Sequence, residues 1–92
     1  MDFLTKIGHL SYIYFTKDVD FYLNQSPIGQ YGWGVCWSLY AVKNGFTTRI
    51  ADFVTKDDNT NCYRSQSQDS KLWTEEEAVE RANDMILCFL HG

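Results

Sequence analysis

With 92 residues, 45% of them hydrophobic and 16% aromatic, the chain has the composition of one folded domain, 1–92, and not of a disordered or low-complexity segment. A domain of this length buries only about 60–65% of the surface its unfolded chain exposes, so most apolar residues are committed to the core. The formal net charge is −4 and the eight Lys and Arg residues are scattered singly, which disfavours direct binding to nucleic acid, where bases cluster on one face.

The opening stretch places Phe3, Leu4, Ile7, Leu10 and Tyr14 at helical spacing and predicts an N-terminal helix. Gly8 and the run Tyr12-Ile13-Tyr14-Phe15 argue against it. Met1-Asp2-Phe3-Leu4-Thr5-Lys6 lacks the basic-then-apolar order of a secretory leader, and no apolar run approaches the roughly 20 residues that span a bilayer. A soluble protein of the cytoplasm, without membrane contact, is the expectation. Asp18 to Leu23 reads equally well as a short helix or an extended segment, and the loop Asn24-Gln25-Ser26-Pro27-Ile28-Gly29 follows it.

From Gly32 to Val42 the chain is rich in strand formers, and Asn44-Gly45 is a strong signal for a type I′ hairpin whose second strand runs from Phe46 to Thr55. An unbroken two-residue hairpin sets Tyr40 opposite Arg49, Leu39 opposite Ile50, Trp37 opposite Asp52 and Val35 opposite Val54. The cluster Tyr31-Gly32-Trp33-Gly34-Val35-Cys36-Trp37 could form a base-stacking platform, but Trp33, Val35 and Trp37 alternate onto one face, which favours core packing. Asp57 to Asn61 has turn composition, Cys62-Tyr63 opens a third strand through Ser65, and Gln66 to Ser70 reads as a polar loop.

The final element carries the clearest signals. Thr74 followed three residues later by Glu77 forms a capping box, with Glu75 and Glu76 in the first turn, and a helix from about Glu75 to Leu90 follows. A step of about 100° per residue puts Ala78, Val79, Ala82, Met85, Ile86, Phe89 and Leu90 on one face, and Glu76, Glu77, Glu80 and Asp84 on the other. Leu87 and Cys88 fall outside the apolar stripe, which predicts that this end packs against a second chain in a homodimer. The predicted fold class is therefore α+β: a three-stranded antiparallel meander flanked by an N-terminal helix and an amphipathic, acidic C-terminal helix.

Chemistry is sparse by comparison. Cys36, Cys62 and Cys88 form no CxxC pair, so they read as reduced, buried small hydrophobes, with neither a disulfide framework nor a metal site. No phosphate loop, Ser/His/Asp arrangement or HExxH motif is present, and His9 and His91 lie near the chain ends, so no catalytic residues and no cofactor are assigned. A binding protein is expected, not an enzyme.

Charge distribution suggests what it binds. Six acids between Asp69 and Gly92 face only Lys71 and Arg81, while the first 68 residues are balanced, which favours a basic protein partner. The five acids from Glu75 to Asp84 span about 14 Å, over which duplex DNA presents about eight charges. Two such helices, supplemented by Asp57, Asp58 and Asp69, would approach that density. Ordinary capping and solubility explain the same residues more plainly.

In overall character, from Met1-Asp2-Phe3-Leu4 through Thr74-Glu75-Glu76-Glu77-Ala78 to Cys88-Phe89-Leu90, the chain resembles small early proteins of large lytic phages, the Arn-type anti-restriction proteins of T-even phages. That resemblance implies a dimeric DNA mimic in the host cytoplasm that occupies the DNA site of a modification-dependent restriction nuclease such as McrBC. Its acidic surface would be Glu75, Glu76, Glu77, Glu80, Asp84, Asp57, Asp58 and Asp69. The competing reading is an adaptor that docks through an aromatic or apolar surface around Tyr31 and Trp33.

Overall fold

The computed structural model describes residues 2–27, 34–56 and 73–92. Five strands in place of the expected three, β1 (Thr5–Lys6), β2 (Ser11–Phe15), β3 (Asp20–Pro27), β4 (Gly34–Lys43) and β5 (Phe46–Lys56), form one antiparallel sheet in the order β1-β2-β3-β4-β5. One helix, α1 (Glu75–His91), completes an α+β fold and contacts β3 and β5. The predicted third strand at 62–65 and the loop at 66–70 lie outside the described residues, as do Cys62, Tyr31 and Trp33.

The N-terminal helix is replaced by strands. Ile7 and Leu10, which a helical stripe would bury, are each 57% exposed at the bend joining β1 to β2. Tyr12-Ile13-Tyr14-Phe15, aromatic and β-branched, prefers the pleated surface and pairs with β3, Tyr12 opposite Leu23 and Tyr14 opposite Phe21. Of the ambiguous segment at 18–23, residues from Asp20 on are extended for the same reason, and β3 continues through Pro27 where a loop is expected from Asn24. A tight connection precedes it, in which Thr16 N–H donates to Val19 O at 2.9 Å and Val19 N–H donates back to Thr16 Oγ1 at 2.9 Å.

The Asn44-Gly45 hairpin forms with positive φ at both residues, 54° and 82°, as a type I′ turn demands. From Lys43–Phe46 to Tyr40–Arg49 the register follows the two-residue loop, and then it slips. Leu39 faces Ala51, Trp37 faces Phe53, Cys36 faces Val54 and Val35 faces Thr55, because Ile50 is inserted as a β-bulge. The unbroken pairing of Leu39, Trp37 and Val35 with Ile50, Asp52 and Val54 is thus corrected by one residue. The bulge gives Phe53 to the core and turns Asp52 to the other face, where its carboxylate accepts from Ser38 Oγ at 2.6 Å.

Under α1 lie Phe21, Leu23, Trp37, Leu39 and Phe53, none more than 2% exposed. Ring contacts knit this layer: Tyr12 meets Trp37 edge-on at 5.5 Å, and Phe53 meets Trp73 at 5.1 Å. From the helix, Ala78, Ala82 and Ile86 are fully buried, and Phe89 reaches Phe21 at 5.4 Å. The two alanines let the helix backbone approach the large sheet residues closely, since an interior packs to near-crystalline density only when large faces small. Toward the C-terminal end the fit loosens, with Phe89 and Leu90 each 41% exposed, Leu87 half-buried and Cys88 exposed. Cys88 is therefore no buried hydrophobe, and Cys36 is only half-buried. No helix among the described residues is long and apolar enough to cross a membrane.

Candidate partner-binding surface

Helix α1 starts where its local chemistry places it. Thr74 is extended (φ −84°, ψ 162°), its Oγ1 accepts from Glu77 N–H at 3.0 Å, and Glu77 Oε1 accepts from Thr74 N–H at 3.0 Å. This reciprocal cap satisfies two of the donors every helix leaves open, and it fixes the rotational phase of all that follows.

Two long-range clamps then lay the first residues of the chain alongside the helix. Asn83 is 5% exposed on the inner side of α1, and its Oδ1 accepts from both Phe3 N–H at 3.0 Å and Leu4 N–H at 2.9 Å. Glu75 accepts from Lys6 Nζ at 2.7 Å and from the Tyr12 hydroxyl. Burial opposes ionisation of Glu75, but the hydrogen bonds from Lys6 and Tyr12, with the Lys6 charge, outweigh it and hold the carboxyl below its usual range. Partial burial, the bond to Glu75 and the negative charges of Glu75 and Glu76 push the Tyr12 hydroxyl well above the ordinary tyrosine range. Glu75 is thus neutralised within the fold. Its charge is balanced by Lys6 and turned to holding the N-terminal strands, so it adds little to an outward field.

The remaining helix acids behave differently. Glu76, Glu80 and Asp84 are exposed, recur every four residues and form no ion pair among the described residues. Consecutive members stand about 6 Å apart along the axis. They line a groove of about 510 Å³ whose other wall includes Asp2 and Tyr12, with Val79 and Asn83 between. Glu80 and Asp84 also border a second hollow of about 150 Å³, with Trp73, Glu77 and Arg81, so these two carboxylates stand on a ridge between two depressions. Glu77 is exposed but engaged in the cap. Asp57, Asp58 and Asp69 lie outside the described residues.

Asp2 is the acid that sequence reasoning missed. A helical reading of the opening stretch gives no reason to place it beside Glu76, from which it is 74 positions distant; the Asn83 clamp does. Among the described residues no three His, Cys, Asp or Glu side chains are placed to hold a metal ion. The surface offers charge and shape: carboxylates in a row and a trough beside them whose lining includes one phenol.

No protein-family model, curated protein or solved structure matches this chain.

Proposed function

We propose that the acidic row of α1 is a binding surface for a basic site on another protein, and that the protein is a phage-type anti-restriction inhibitor whose row takes the place of DNA phosphates in a host restriction nuclease. The observation that carries this reading is the contrast in partnering. Glu76, Glu80 and Asp84 form no ion pair among the described residues, and like charges at i and i+4 cost a helix a few tenths of a kcal/mol each. Over the roughly 12 Å they span, duplex DNA presents about seven charges, and Glu76, Glu77, Glu80, Asp84 and Asp2 supply five. Arg and Lys side chains that close on phosphates would find carboxylate oxygens in the groove instead. The overall resemblance to Arn-type anti-restriction proteins names the class of enzyme to test first.

The test is the triple variant Glu76→Lys/Glu80→Lys/Asp84→Lys, assayed for inhibition of a modification-dependent nuclease, with far-UV circular dichroism as the folding control. The expected outcome is loss of inhibition with an unchanged fold, and a steep fall of wild-type inhibition as salt rises. Inhibition that survives the triple reversal would remove the reading.

A second reading rests on the face of the sheet turned away from α1. Ile13, Tyr22, Tyr40 and Val42 are half-buried there and Phe15 is 53% exposed, with Phe15 and Tyr22 edge-on at 5.5 Å. An adaptor docking through this aromatic face would bind almost independently of salt and would lose its partner on truncation of Tyr22 or Phe15.

A further inference from the structure

The two edges of the sheet are finished differently. On one side the outermost strand, β1, is two residues long, a common way of blunting an edge. On the other, β5 runs for 11 residues, and among the described residues only its far end is covered, where Trp73 bridges Thr55 and donates its N–H to Val54 O at 2.8 Å. From Phe46 to Phe53 no described strand pairs with the outer side of β5. A long strand edge is a template for another strand, and the sequence of β5 indicates which.

Written against its own reverse and centred between Ile50 and Ala51, β5 sets Arg49 opposite Asp52, Thr48 opposite Phe53 and Ile50 opposite Ala51. Every charge meets its opposite. The facing works only because of the bulge. In an unbroken strand, residues an odd number apart point to opposite sides of the sheet, so a pairing centred between two residues would set inward side chains against outward ones. Here Ile50 and Ala51 both pack on the core side, and the phase shifts by one between Arg49 and Asp52. Thr48 and Phe53 consequently share the helix side, while Arg49 and Asp52 share the other, where they already approach to 3.8 Å within one chain.

We propose that β5 pairs antiparallel with β5 of a second copy, residues 48–53 against 53–48, to make a continuous ten-stranded sheet with two Arg49–Asp52 pairs across a two-fold axis perpendicular to it. The ladder stops at Phe53, because Trp73 already covers the outer side of Val54 and Thr55, and Phe46, 77% exposed in a single chain, lies just beyond it toward Trp73 of the second copy. Both α1 helices lie on the same side of the joined sheet. A dimer is already what the phage-protein resemblance implies; the β5 interface, its register and its charge pairs go beyond it and do not depend on the inhibitor reading.

The experiment is sedimentation equilibrium of the full chain from low to high micromolar concentration, for wild type, Arg49→Asp, Asp52→Arg and the double exchange. Thermal melts at the lowest concentration serve as the folding control. Wild type is expected to be dimeric. Each single exchange sets like charges opposite one another at two symmetric positions and weakens the dimer about tenfold, and the double exchange restores it. A monomeric wild type at every concentration would overturn the proposal and would mean that the edge is unused or covered by residues 57–72 of the same chain. A dimer indifferent to both single exchanges would overturn it equally, in favour of contact elsewhere, such as the Phe89 and Leu90 end of α1.

Discussion

The two faces of α1 are built from the same 17 residues but answer to different demands. On the inner face the first three turns are committed to the fold: Ala78, Ala82 and Ile86 are fully buried, Asn83 holds two backbone N–H groups, and Glu75, at the border, is bound by Lys6 and Tyr12. On the outer face Glu76, Glu80 and Asp84 have no such partners among the described residues. An acid on a helix is thus not one kind of residue. What separates Glu75 from Glu76 is one step of 100°, which takes the first into a hydrogen-bonded cluster and leaves the second facing solvent.

The largest effect that tests this division is expected at Asn83. Asn83→Ala leaves the N–H groups of Phe3 and Leu4 without an acceptor, and loss of a buried acceptor costs about 1–3 kcal/mol, so urea denaturation should show a destabilisation of about 2 kcal/mol or more. A midpoint within error of wild type would mean that the clamp does not hold the N-terminal segment.

A smaller effect, visible through pH, is expected at Glu75. Its carboxyl is more acidic in the folded state than in the unfolded chain, so its contribution is fully present above the ordinary glutamate pKa of 4.5 and is lost as pH falls through the lowered folded value. The side chain is 37% exposed and its Lys6 partner 44%, so solvent screening keeps the contribution below about 1 kcal/mol. Glu75→Gln should therefore flatten the acid limb of the stability profile between pH 5 and the folded pKa, measured by denaturation midpoints at a series of pH values. Superimposable acid limbs for the two proteins would place Glu75 with the outer acids.

The smallest stability change belongs to the outer face itself. Glu80→Gln removes a like charge four residues from both Glu76 and Asp84 and should change stability by no more than about 0.5 kcal/mol, in the stabilising direction. A clear loss in the same denaturation assay would reveal a structural duty for this acid and blur the contrast between the two faces.

How much of this could be read from the sequence follows the range of the interactions. The Thr74–Glu77 box and the Asn44-Gly45 turn are settled within four residues, and both stand where the sequence puts them. The N-terminal strands were hidden because the spacing of Phe3, Leu4, Ile7 and Leu10 mimics a helix, while the pairing of β2 with β3 and the Asn83 clamp are not local. The bulge at Ile50 leaves no composition signal, yet it decides which of Ile50, Asp52 and Phe53 enters the core. For the site, Glu76, Glu80 and Asp84 were legible from helical phase alone. The withdrawal of Glu75 and the arrival of Asp2 were not, since their partners lie more than 60 positions away.

The Asn83 clamp also sets an order of events during synthesis. Its two bonds join positions 79 and 80 residues apart, so the first described residues can dock only after Asn83 has emerged. Until then Phe21, Leu23, Trp37, Leu39 and Phe53 can assemble as a sheet but lack the helix that covers them. A chain whose α1 is undocked would leave that aromatic layer bare, the form most open to self-association or chaperone capture.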